Sequence, residues 1–347
     1  MKRRKFCLNL ATAALGAGIC KNSLALPVNS GKKTKPIVGS WFEFQHHSQV
    51  EGKYWNPTLE AFTEKDWTVK VKEVADAGIK YLVLLDVAIY DKSFYPSQLM
   101  PQHQLGCPDP LETVLSAADK YGIRFFISNG FFGNWYKPYD LIVGKEVHKL
   151  RIKAMEELTE KYSHHKSFYG WYYPNETGIQ GYYDDAFINY VNKCTKEVNR
   201  LTPKTKTLIA PYGTRSVETN EKFINSLDKL NVDFIAYQDE VGVRKSKTDE
   251  TARFFEQLYK MHKQVGKAKL WADVEVFEFE GETYRSALLP ASPERVIQQL
   301  EAISPFVEKI LIYQYTGLIN NPESHAFAGH QSSTKLYTEL VKHNYLK

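Results

Sequence analysis

The sequence predicts a single (β/α)8 barrel, a TIM barrel with long βα loops, spanning residues 36–347. Three observations carry this. Strand-like runs alternate with amphipathic helical stretches, and the unit recurs eight times. The runs are apolar throughout rather than alternating, which suits parallel strands covered on both faces. No Gly-rich phosphate turn follows the first run, so a doubly wound open sheet, the nearest rival, lacks its signature. A barrel of this kind needs about 250 residues plus its loops, which the chain supplies.

Residues 1–25 stand apart as a cleavable export signal, with 26–35 as a linker. Met1-Lys2-Arg3-Arg4-Lys5-Phe6 is basic and carries paired arginines, pointing to the twin-arginine route. The apolar run from Leu8 to Cys20 is too short to span a bilayer, and Ser23-Leu24-Ala25 offers a small-x-small cleavage site. Ile19 is too bulky to precede a lipidated cysteine. The expected location is periplasmic or secreted, with no membrane span in the mature protein.

The strands are expected at 37–44, 81–89, 124–129, 168–173, 207–211, 232–237, 269–275 and 309–315. Between them, Trp67, Val71, Val74 and Ala75 mark one helical stripe and Leu111, Val114, Leu115 and Ala118 another. Thr63 to Asp66 fits a capping box, and Ser292-Pro293 fits an N-cap followed by proline at the first helical position. Gly78 and Gly122 read as helix stops feeding buried strands. A last helix near 333–345 should pack Leu336, Leu340 and Val341 on the barrel.

Charge and cysteine content exclude several classes. The chain has 45 Lys+Arg against 40 Asp+Glu, but the signal holds Lys2, Arg3, Arg4, Lys5 and Lys21 and no acid. The mature chain is therefore balanced, and no basic block remains to track a phosphate backbone, so nucleic acid is not an expected partner. Cys107 and Cys194 are the cysteines left after the signal, with no metal-type spacing. Cys194 falls on the apolar stripe of Phe187, Tyr190, Val191 and Val198 and reads as a core residue.

Phe168-Tyr169-Gly170-Trp171-Tyr172-Tyr173-Pro174-Asn175-Glu176 is the most informative stretch. An aromatic strand is stopped by Pro174, which cannot donate to a ladder, so Asn175 and Glu176 are delivered at its C-terminal edge. In a parallel barrel that edge is the catalytic face, and this strand is the fourth. The seventh reads Lys269-Leu270-Trp271-Ala272-Asp273-Val274-Glu275. With period two, Trp271, Asp273 and Glu275 share the interior face, and Glu275 emerges last. Two carboxylates across a barrel mouth can attack an anomeric carbon from one side and protonate the leaving oxygen from the other.

In this the chain resembles glycoside-hydrolase barrels that place Asn-Glu after strand four and a nucleophilic Glu after strand seven. Trp41-Phe42-Glu43-Phe44-Gln45, Gly170 to Glu176, Ala236-Tyr237-Gln238-Asp239 and Trp271 to Phe277 are together similar to an exported bacterial family of glycoside-hydrolase-like TIM barrels long catalogued as a domain of unknown function. The resemblance covers nearly all of the mature chain and implies carbohydrate chemistry. The family resemblance supplies no substrate; together with the two carboxylates, the expected function is a retaining hydrolase of a poly- or oligosaccharide, with Glu176 as acid/base and Glu275 as nucleophile. Glu275 is expected to stay ionised, held by Arg215 or a tyrosine hydroxyl.

The aromatic content of 14% supports a carbohydrate partner, because ring faces stack on the C–H face of a pyranose. Expected substrate-binding residues are Trp41, Asn129, Trp135, Tyr173, Asn175, Tyr212, Arg215, Tyr237, Gln238, Asp239, Trp271, Gln314 and Tyr315. Asp239 reads as a site wall, Glu240 as solvated, and Asp86 as either a buried structural acid or a site residue. No cofactor and no metal are expected: His46-His47, His164-His165 and His325 with His330 match neither His-x-His nor His-Glu-x-x-His. Adjacent histidines on a strand point to opposite faces, so at most one of His46 and His47 is expected to face the site, and His164-His165 reads as a solvated helix end. Two other readings stand beside hydrolysis: a non-catalytic carbohydrate-binding barrel, and a metal-dependent sugar isomerase or epimerase.

Overall fold

The computed structural model describes residues 34–134, 137–176 and 178–347. The expected export signal and most of the linker lie outside the described residues, as does Trp135. Residues 34–347 form one compact unit. Its core is eight parallel strands: β1 (Ile37–Phe42), β2 (Tyr81–Leu84), β3 (Arg124–Ser128), β4 (Phe168–Tyr173), β5 (Lys206–Ile209), β6 (Phe234–Gln238), β7 (Lys269–Glu275) and β8 (Lys309–Tyr313). Each pairs with its neighbours in sequence, and β8 closes on β1, giving a TIM barrel.

The helices form where the periodicity places them. Thr63 and Asp66 make the reciprocal capping box of Glu64–Asp76. Ser292 accepts from the Arg295 N–H at the start of Pro293–Ile303, with proline in its first turn. Gly122 ends Pro110–Tyr121 in the left-handed region at φ 70°, where a side chain would be strained. The last helix, Ser333–Lys342, buries Leu336 and Leu340. No helix among the described residues is long and apolar enough to cross a membrane.

The barrel is filled with rings. Trp271 stacks on Phe234 at 4.2 Å between ring centres and takes Tyr81 edge-on at 5.3 Å, forming the floor. Higher up, Trp41 meets Tyr172 edge-on at 5.8 Å. Gly170 makes room for this packing: a Cβ there would stand 2.3 Å from the Lys206 carbonyl oxygen and 2.8 Å from the Phe126 ring. The upper end is extended by two antiparallel hairpins, Ala88–Ile89 with Lys92–Ser93 and Phe277–Phe279 with Leu288–Pro290. The second strand is thus shorter than 81–89, because the chain turns away after Leu84 into the first hairpin.

Candidate active site

A cleft of about 310 Å³ opens at the C-terminal mouth, within the range of small-molecule sites. Its floor and walls carry three carboxyls from two strand ends. Glu176 follows β4, and Asp273 and Glu275 come from the interior face of β7. Pro174 lines the same wall, so the break in the aromatic strand sets where Glu176 emerges.

Glu176 is half-buried and held from below. The Tyr172 hydroxyl donates to its Oε1 at 3.1 Å, and the Gln238 side chain also bonds to the carboxyl. Burial outweighs these bonds and pushes the carboxyl from its ordinary 4.5 up to about 7. Trp41, expected in the cleft, is fully buried under Tyr172 and bonds to it, so it supports Glu176 at one remove.

Glu275 is buried, with its Oε2 accepting from the Val243 N–H at 2.9 Å. Gly242 allows that approach, since a Cβ there would stand 2.9 Å from the same oxygen. Behind Glu275 lies Asp239. Its Oδ1 accepts from the N–H groups of Glu275 and Val241 at 3.2 and 3.3 Å, and its Oδ2 from Gln299 Nε2 at 2.6 Å. Burial and then the Asp239 charge hold the Glu275 carboxyl well above its usual range, and burial lifts Asp239 to about 6. Asp273 is raised by burial first, then by Glu275, Glu176 and Asp239. Such a cluster cannot ionise fully near neutrality; it retains protons. The expected ionised Glu275 held by Arg215 or a tyrosine is not what forms. Arg215 is exposed, and its N–H donates instead to Glu240, a fully buried carboxylate that also accepts from the Gly213 N–H.

The opposite wall is the loop after β1. Glu43 is buried, with Oε1 accepting from Trp55 Nε1 at 2.7 Å and Gln314 Nε2 at 2.6 Å. Its Oε2 stands 3.0 Å from His46 Nδ1, and Glu51 Oε2 stands 3.3 Å from His46 Nε2. Burial alone would depress His46, but the two glutamates outweigh it and hold the imidazole at about 10. Both His46 and His47 line the cleft. The strand rule expected one at most; it does not apply, because β1 ends at Phe42 and the histidines lie in the bend beyond it. Tyr313, at the end of β8, completes this side, its hydroxyl 3.4 Å from Glu43 Oε2 and 3.2 Å from His46 Nδ1.

Rings roof the cleft: Phe131, Tyr212, Phe277, Phe279 and Tyr284. The hydroxyls of Tyr212 and Tyr284 meet at 3.1 Å, joining the loop after β5 to the hairpin loop after β7.

Of the expected residues, Glu176, Glu275, Tyr212 and Gln238 meet at the cleft. The others among the described residues lie elsewhere, for identifiable reasons. Tyr173 and Tyr237 point outward from their strands, to Thr195 and to His262 and Tyr183. Tyr315 is buried beside Lys70, and Trp271 belongs to the barrel floor. Asn129 and Asn175 both turn to the Tyr190 hydroxyl, at 3.4 and 2.9 Å. Gln314 supports Glu43, and Asp239 supports Glu275. Asp86 is buried with both carboxyl oxygens unpartnered and is raised by burial, then by Glu43. His165, expected to be solvated, is buried between Asp119 and Glu112 at 2.9 and 3.0 Å. His46, His47, Glu51 and Tyr284 were not among the expected site residues. They sit in loops, which have no strand periodicity to place them.

Residues 37–326 match the model of a family described as Domain of unknown function (DUF4434). The chain belongs to that family. No match is found among curated proteins. Among solved structures, the DUF4434 chain is similar to a Bacteroides thetaiotaomicron VPI-5482 protein provisionally assigned as an alpha-L-fucosidase. The TM-score is 0.71 at 20% identity, covering 96% of this chain and 100% of that one. It is also similar to a beta-galactosidase of the psychrophilic Marinomonas ef1, with TM-score 0.57 and 10% identity over 88% of this chain and 59% of that one. A third is the cellulose synthase subunit Z of Clostridioides difficile, with TM-score 0.55 and 11% identity over 88% and 100%. At these identities the likeness shows the shared fold, the (β/α)8 barrel.

Proposed function

We propose that this protein is an exported glycoside hydrolase acting on a poly- or oligosaccharide with retention, Glu176 serving as acid/base and Glu275 as nucleophile. The observation that carries the reading is the grouping of carboxyls across the cleft. Glu176 is a carboxyl titrating near neutrality, and it faces two further carboxyls from β7 at the mouth of a glycosidase-like barrel. Protonated Glu176 donates to the departing glycosidic oxygen while Glu275 attacks the anomeric carbon. Water, deprotonated by Glu176, then releases the sugar from Glu275. Glu275 must first give up its proton. The Val243 N–H aimed at Oε2 stabilises the resulting carboxylate.

The lining supports a neutral or amino sugar over a uronide. Among the described residues it carries the carboxyls of Glu51, Glu176, Asp273 and Glu275 and no lysine or arginine, and its one raised imidazole, His46, is already matched by Glu43 and Glu51. Tyr212, Tyr284 and Phe277 supply faces for a pyranose.

The deciding experiment is a glycan panel with product anomers read by NMR. Hydrolysis of neutral glycans with retained configuration supports the proposal. Tight binding without cleavage replaces it with the non-catalytic barrel. The pH profile gives a second check. kcat/KM should fall on the alkaline side as Glu176 loses its proton at about 7. It should fall on the acid side above the ordinary glutamate range, because burial and Asp239 make Glu275 hard to ionise. An undiminished rate at high alkalinity sinks Glu176 as the acid.

A further inference from the structure

We propose that the loop after β1 is a divalent-metal site, formed by His46, His47 and Glu51 and suited to zinc. A ring nitrogen of each histidine and a carboxylate oxygen of Glu51 all lie within 4.8 Å of one another. His46 Nε2 and Glu51 Oε2 are 3.3 Å apart. A charge-assisted N–H···O⁻ bond is normally about 2.7–2.9 Å, so without a metal this pair makes only a long hydrogen bond. The same spacing matches two ligands of a tetrahedral zinc, where bonds of about 2.0–2.1 Å leave neighbouring ligand atoms about 3.3 Å apart.

The surroundings fit the same assignment. Zinc-binding histidines as a rule donate their second ring N–H to a carboxylate, which fixes the tautomer. Here Glu43 Oε2 takes that place 3.0 Å from His46 Nδ1, and Glu43 is itself fixed through its other oxygen by Trp55 and Gln314. Two nitrogens and one carboxylate favour zinc over magnesium or calcium, which prefer all-oxygen shells. All three ligands line the cleft, so a fourth position opens into it, as in zinc sites that bind a water or substrate oxygen. The proposal is independent of the roles given to Glu176 and Glu275.

A second cluster, Glu112 with His164 and His165, provides an internal control. There both His165 ring nitrogens are engaged at ordinary hydrogen-bond lengths, 2.9 Å to Asp119 and 3.0 Å to Glu112.

The test is zinc titration of untagged, EDTA-treated protein by calorimetry, with stoichiometry from elemental analysis. One zinc per chain is expected. His47→Ala, at a half-buried position, should remove it, and Glu51→Gln should do the same. Glu43→Gln should weaken binding by about 10–100-fold, the usual effect of losing a carboxylate behind a metal-bound histidine. His164→Ala should leave the titration unchanged. Cobalt in place of zinc should show tetrahedral visible bands that disappear in His47→Ala, with circular dichroism confirming the fold. Absence of stoichiometric zinc in the wild-type protein overturns the assignment. So does zinc that survives both His47→Ala and Glu51→Gln, or that is lost in His164→Ala.

Discussion

Glu275→Ala should abolish turnover of glycosides with good and poor leaving groups alike, and added azide should restore it by attacking in place of the missing carboxylate. Glu176→Ala should behave differently. Loss of an acid/base group typically costs about 10²–10⁴ in rate, but an activated aryl leaving group needs little protonation. The first step should therefore be spared for activated substrates and slowed for natural ones, a leaving-group dependence that steady-state kinetics reads directly. The site has one competitor for the nucleophile's role. Asp273 projects into the same cleft two residues earlier on β7, and its Oδ1 has no hydrogen-bond partner. Mass-spectrometric mapping of a trapped glycosyl-enzyme separates the two. A label on Asp273, or near-normal rates in Glu275→Ala, would refute the assignment.

Trp271→Ala should cost about 3–5 kcal/mol of stability, the usual range for removing a fully buried large aromatic. The sequence reading instead placed Trp271 among the substrate-binding residues. The structure assigns Trp271 to the barrel floor, against Phe234, Tyr81 and Phe126, at 0% exposure. The cavity left behind would face three rings fixed by closed strands, with little scope for collapse. A urea melt should show a much lower midpoint, whereas glycan affinity of the folded fraction should stay near wild type. An unchanged midpoint would place the ring elsewhere.

The barrel was legible because its evidence is redundant: each apolar run, cap and glycine stop points to the same alternation. The cleft was legible where strand parity governs. Asp273, Glu275 and Gln238 follow from alternation about β7 and β6, and Glu176 from the proline break after β4. The same alternation excludes Tyr173 and Tyr237, since Tyr172 and Gln238 occupy the inward positions beside them. Ring chemistry alone suggests those two; strand parity turns them outward. Trp271 has the right parity but the wrong depth, and depth depends on barrel stagger, which one strand's sequence does not carry. Glu51, His46 and His47 reach the cleft through loop geometry, where neither period nor motif guides the reading. Asn129 and Asn175 fail for another reason: each is a strand-end amide, and the Tyr190 hydroxyl captures both from behind the barrel.

The burial that prepares Glu176 for proton donation also links folding to pH. A carboxyl that titrates at about 7 when folded and near 4.5 when unfolded binds its proton more tightly in the native state. Its favourable contribution is complete below 4.5 and is lost as pH rises to about 7, a change of about 3 kcal/mol. Asp273 and Glu275, raised in the same direction, add to that slope. The native state is thus strained by its own acids on the alkaline side, and a cation or a sugar amine entering the cleft would relieve a charge the fold itself carries poorly.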